Sequence, residues 1–87
     1  MKILIWKSNG AIRVYDVSTP DKLRAVIEDA IDCLDGWGLE NTVELVKTHI
    51  EKHPDDLVEL SRAVNQIMIA VGDEEEMFEQ FYIGDLQ

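Results

Sequence analysis

The stretch KILIWKSNGAIRVYDV, residues 2–17, decides the fold. Two runs rich in β-branched and aromatic residues flank Asn9-Gly10, a dipeptide that tolerates positive φ at both centres of a type I′ turn, so the segment reads as a β-hairpin. A two-residue loop leaves one register: Lys7 opposite Ile12, Trp6 opposite Arg13, Ile5 opposite Val14, Leu4 opposite Tyr15 and Ile3 opposite Asp16. Side chains alternate across a strand, which puts Ile3, Ile5, Ile12 and Val14 on one face and Leu4, Trp6, Arg13, Tyr15 and Val17 on the other.

Downstream the period changes from 2 to 3.6. Thr19-Pro20 is a cap followed by a first-turn proline, and Leu23, Val26, Ile27, Ala30, Ile31 and Leu34 then share one arc of a helix whose other side carries Glu28, Asp29, Asp32 and Asp35. Gly36 and Gly38 end this helix around Trp37, which is either a plug over the core or an exposed anchor. Asn41 and Glu44 are spaced as a capping box for a second helix, with Val43, Val46 and Ile50 inward and Pro54 as its stop. A third helix runs from Pro54 or Asp55 to Val71, with Gly72 in the C′ position. Its apolar arc holds Leu57, Leu60, Val64, Ile67, Met68 and Val71, and Val58 and Ile69 form a separate stripe. Asp73 and Glu76 predict a short acidic fourth helix, followed by Phe81-Tyr82-Ile83 as a brief third strand.

These elements predict one α+β domain over residues 1–87: an N-terminal hairpin, with or without a short C-terminal third strand, packed on three or four short helices. A lone hairpin is marginal in water, so the sheet must pack on the helices, gain the C-terminal strand or pair across a dimer. Ile3, Ile5, Ile12 and Val14 are expected to face the helices. That choice leaves Trp6, Arg13 and Tyr15, residue types common at binding hot spots, on the free face as partner anchors with Trp37.

Charge narrows the function. The chain carries 18 acidic and 8 basic residues, a net −10 at pH 7, and the imbalance is uneven. Residues 1–24 hold five bases and two acids, net +3, whereas residues 25–87 hold three bases and sixteen acids, net −13. Phosphate repulsion opposes direct nucleic-acid binding by the acidic part, so a protein with a basic surface is the expected partner. Glu74, Glu75, Glu76 and Glu79 present the densest negative charge to it. One cysteine cannot form an internal disulfide, and the apolar run before Lys7 is too short for a signal-peptide core, so a reducing cytoplasm is expected and no membrane role.

Catalysis is not expected. Cys33 lies among acids that suppress thiolate formation, with no basic neighbour in sequence to activate it. His49 and His53 have the i, i+4 spacing of metal ligands, but Ile50 stands where a zinc-protease motif has Glu, and His53 is biased out of the helix by Pro54. No metal and no cofactor are therefore predicted. Asp73 to Glu76 lacks the ligand alternation and central Gly of a calcium loop. Phosphate loops, nucleophile–base sets and zinc-knuckle spacings are missing.

The opening Ile5-Trp6-Lys7-Ser8-Asn9-Gly10-Ala11-Ile12-Arg13-Val14-Tyr15-Asp16-Val17-Ser18-Thr19-Pro20, with the acidic helical remainder, resembles the small acidic orphan proteins of bacteriophages and prophages. The resemblance implies a protein of the bacterial host's cytoplasm that binds and inhibits or regulates a host protein, in some cases by imitating nucleic acid. The alternative reading is a self-associating structural or accessory protein that pairs as a homodimer through the hairpin or the third helix. Metal binding through His49 and His53 ranks last.

Overall fold

A computed structural model describes residues 1–34, 36–74 and 79–86. The chain runs β1 (Lys2–Ser8), β2 (Ala11–Asp16), α1 (Pro20–Leu34), α2 (Glu40–Lys52), α3 (Leu57–Gly72) and β3 (Glu79–Asp85). The three strands form one antiparallel sheet in the order β2-β1-β3, so the first strand is central. The class is α+β, with three helices among the described residues. Residues 75–78 of the expected fourth helix lie outside the described residues, and the strand expected over Phe81–Ile83 is longer, spanning Glu79–Asp85.

The hairpin forms as its turn dictates. Asn9 and Gly10 take φ of 48° and 88°, and every cross-strand pair from Ile3–Asp16 to Lys7–Ile12 is in the expected register. At the exit of β2, Asp16 accepts hydrogen bonds from the backbone N–H and hydroxyl of Ser18 and from Lys22. These donors stabilise the ionised carboxylate and hold its pKa down at about 2. Thr19 then caps α1 by accepting the N–H of Lys22 on its hydroxyl, and the helix ends before Gly36 and Gly38, both at positive φ.

Three helix boundaries differ from the sequence expectation. The Asn41–Glu44 box does not form: α2 starts two residues earlier than that box would set it, with Leu39 rather than Asn41 at its N-cap, and the Val43 N–H is satisfied by the Leu39 carbonyl. In α3 the carboxylate of Asp56 accepts from the N–H groups of Val58 and Glu59, which sets the start at Leu57 rather than Pro54 or Asp55. Gly72 is the last helical residue, not a left-handed C′ position. Asp73 turns the chain at φ −82° with its N–H on the Ile69 carbonyl, and the Glu74 N–H reaches the Val71 carbonyl, so no positive φ is needed there.

The largest correction concerns the hairpin faces. Leu4 and Trp6 are buried, Tyr15 packs against the core, and Phe81 of β3 joins them, whereas Ile12 and Val14 are each 63% exposed. The face expected to look outward therefore meets α1 and α3, and the isoleucine–valine face looks out. Third-strand aromatic area decides the orientation. β3 brings Phe81 and Ile83 to the Leu4–Trp6 side, while Gln80, Tyr82 and Gly84 fall on the other with Lys7 and Asp16. Trp6 and Phe81 each offer far more apolar area than a β-branched side chain, and their rings pack at 5.1 Å.

The core continues through Val17 and the predicted arc of α1, then through Val46 and Ile50 of α2 and Leu60, Val64 and Ile67 of α3. Among the described residues no charged or polar side chain is buried, and no helix is long and apolar enough to cross a membrane.

The inverted faces predict a contrast between two truncations of similar size. Leu4→Ala should cost about 2–5 kcal/mol in urea unfolding because it leaves a cavity, and Val14→Ala under about 1 kcal/mol. Equal costs would contradict the orientation described.

Candidate functional site

The inner sheet face is structural as well as aromatic. Trp6 is 3% exposed, with Tyr15 at 6.3 Å and Phe81 at 5.1 Å from its ring, and Arg13 lies over the indole at 6.0 Å. The Trp6 indole N–H donates to Glu79 Oε2, and the Ser8 hydroxyl donates to Glu79 Oε1 at 2.6 Å. Both carboxylate oxygens of Glu79 are thus engaged within the sheet. As expected partner contacts, then, Trp6 is removed from solvent by core packing and Glu79 is occupied by its own strand neighbours. Arg13 remains exposed at the rim, and Tyr15 is half-buried.

Trp37 is 45% exposed on the turn between Gly36 and Gly38, so it does not plug the core. Glu74 is exposed directly after α3; Glu75 and Glu76 lie outside the described residues. Cys33 is exposed at the end of α1, where desolvation and the charges of Glu79, Asp29 and Asp32 push its thiol pKa up against the opposing pull of Arg13. The thiol form is favoured there, so the site does not present an activated nucleophile.

Acidic side chains converge elsewhere. Glu28 and Asp32 on α1 and Glu51 on α2 border one shallow groove whose floor includes Ile31 and Ile50, with Lys47 as the one basic side chain lining it. Glu28 and Asp32 are four residues apart and therefore neighbours on the helix surface. The sequence placed both on the polar side of α1; it carried no signal that α2 would set Glu51 opposite them.

The outer sheet face is the main exposed apolar surface of the strands. Ile12, Val14 and Tyr82 stand at 63%, 63% and 46% exposure, and Ile3 and Ile5 of the central strand are half-buried between them. Lys7 lies over the Tyr82 ring at 5.5 Å. On the helical side Val58 and Ile69 are 61% and 68% exposed, so their stripe faces solvent, and Ile69 shares a groove between α2 and α3 with Leu45.

At the α2–α3 turn, His49 Nε2 lies 3.0 Å from both the backbone carbonyl and a carboxylate oxygen of Glu59, and Arg62 donates to the other carboxylate oxygen at 2.7 Å. Two acceptors at Nε2 mean that this nitrogen carries the ring proton. The His53 ring is 5.0 Å from that of His49, and ligand atoms of His49, His53 and Glu59 all lie within 4.8 Å of one another. Glu59 was not linked to the histidines by any sequence spacing.

No family model matches this chain, and no curated protein or solved structure is significantly similar to it.

The Glu79 arrangement predicts a stability effect. Glu79→Ala removes the acceptor of a buried indole N–H and should cost about 1–3 kcal/mol in urea unfolding, while Glu79→Gln keeps an acceptor oxygen and should cost less. Wild-type stability in the alanine variant would remove this contact from the core.

Proposed function

We propose that this chain is a non-catalytic binding protein of a bacterial cytoplasm that engages a basic, nucleic-acid-handling host protein through its acidic helical face, inhibiting or regulating it. The observation that carries this reading is the convergence of Glu28, Asp32 and Glu51 on one groove between α1 and α2 in a chain of net charge −10. Carboxylates on adjoining helices meet Lys and Arg side chains that otherwise neutralise phosphate, which is how a protein surface substitutes for nucleic acid. The likeness to small acidic phage proteins supports the same reading. Glu79 is engaged by Trp6 and Ser8 within the sheet and is not counted in this surface, whereas the exposed Glu74 and Trp37 are offered as further contacts.

The non-catalytic part rests on what the described residues offer: carboxylates outside apolar pockets and a thiol held protonated. Affinity capture from a bacterial lysate should identify a partner of basic surface whose complex competes with DNA. Affinity for that partner should fall about tenfold or more between 50 and 200 mM salt. Combined Glu28→Gln, Asp32→Asn and Glu51→Gln should weaken it comparably with the fold unchanged by circular dichroism. Full affinity in the triple variant would sink the proposal.

A second reading, self-association, is favoured by the exposure of Ile12, Val14 and Tyr82 on one sheet face. β1 and β2 belong to the net-positive residues 1–24, and β3 puts only the uncharged Gln80, Tyr82 and Gly84 on this face, so two acidic copies would meet there with little charge repulsion. Light scattering should then give a dimer mass that reverts to monomer in Val14→Asp. A monomer at millimolar concentration would exclude pairing through this face.

A further inference from the structure

We propose that His49, His53 and Glu59 form a binding site for one divalent transition ion of the zinc class. The inference is independent of the acidic groove and rests on geometry at the α2–α3 turn. Two imidazoles project from the last turn and C-cap of α2, and the carboxylate comes from the first turn of α3. Their ligand atoms already lie within 4.8 Å of one another. Donors on a tetrahedral zinc are about 3.3 Å apart for bonds near 2.0–2.1 Å, so the 3.0 Å between His49 Nε2 and Glu59 Oε2 is close to a metal-bound separation. The His53 ligand atom lies within 4.8 Å of both.

The surroundings suit a metal better than a simple ion pair. Arg62 holds Glu59 Oε1, which fixes the carboxylate and leaves Oε2 directed at His49, the outer-shell support that metal-ligating carboxylates receive. A His49–Glu59 pair has no need of a second imidazole packed 5.0 Å from the first. His49 is 24% exposed on its side chain and borders an open groove with Thr48 and Lys52, so an ion has a path from solvent. On binding, the ion takes the place of the proton on His49 Nε2, and the neutral imidazole ligand carries its one proton on Nδ1. Two nitrogen donors and one oxygen select zinc, cobalt, nickel or copper over calcium and magnesium, which take oxygen sets. Three protein ligands also leave a coordination position for water.

The test uses the full chain without a histidine tag. Zinc titration by calorimetry should give one ion per chain, cobalt should produce visible absorption of a site with nitrogen donors, and zinc a hundredfold above Kd should raise Tm by about 10–20 °C. Magnesium and calcium should leave Tm unchanged. His53→Ala removes one ligand without touching the His49–Glu59 contact, so it should keep the metal-free Tm while weakening zinc binding about tenfold or more; His49→Ala should abolish binding. Absence of one-to-one binding at micromolar zinc, or wild-type affinity in His53→Ala, would overturn the site.

Discussion

The buried indole of Trp6 is the constraint on which the rest of the structure depends. Its ring needs apolar cover and its N–H needs an acceptor, and both come from the far end of the chain as Phe81 and Glu79 of β3. Meeting those two needs turns a marginal hairpin into a three-stranded sheet with β1 at its centre. It also fixes which sheet face meets the helices. Once the aromatic residues point inward, strand alternation leaves Ile3, Ile5, Ile12 and Val14 no choice but to point out.

What was legible in the sequence follows from how local each signal is. Asn9-Gly10 specifies its own turn, and a two-residue turn specifies the register on both sides, so the pairing of β1 with β2 could be written down residue by residue. Thr19-Pro20 and the paired glycines likewise bounded α1 from within a few residues. The hairpin faces were not legible because both are apolar: alternation fixes which residues share a face, and only the non-local arrival of β3 decides which face is buried. The start of α3 was not legible for a related reason: Pro54 and Asp55 suit a first helical turn by composition, but Asp56 takes an extended backbone and caps the helix from there.

The same distinction governs the sites. The i, i+4 spacing of His49 and His53 is a sequence fact, but Glu59 reaches them only because the loop after Pro54 folds α3 back on α2. Arg24 reinforces that loop from α1 by donating to the Pro54 carbonyl. Asp73 to Glu76 is the densest run of charge along the chain, yet the next acid, Glu79, is engaged by Trp6 and Ser8 inside the sheet. Charge density along the chain and charge density on a surface are different quantities, and Glu28, Asp32 and Glu51 illustrate the second.

Those α1 acids also sit against the helix's own electrostatics. Glu28, Asp29 and Asp32 occupy its C-terminal half, its last turn contains no basic residue, and the macrodipole disfavours negative charge there. A bound Lys or Arg side chain would relieve both that opposition and the mutual repulsion of Glu28 and Asp32. The groove is built from α1 and α2 alone, whereas Ile12, Val14 and Tyr82 lie on the sheet face turned away from Leu4, Trp6 and Phe81, so the two surfaces share no residue. A charge change in the groove therefore leaves the contacts of the sheet face in place, and a substitution on the sheet face leaves the groove carboxylates in place.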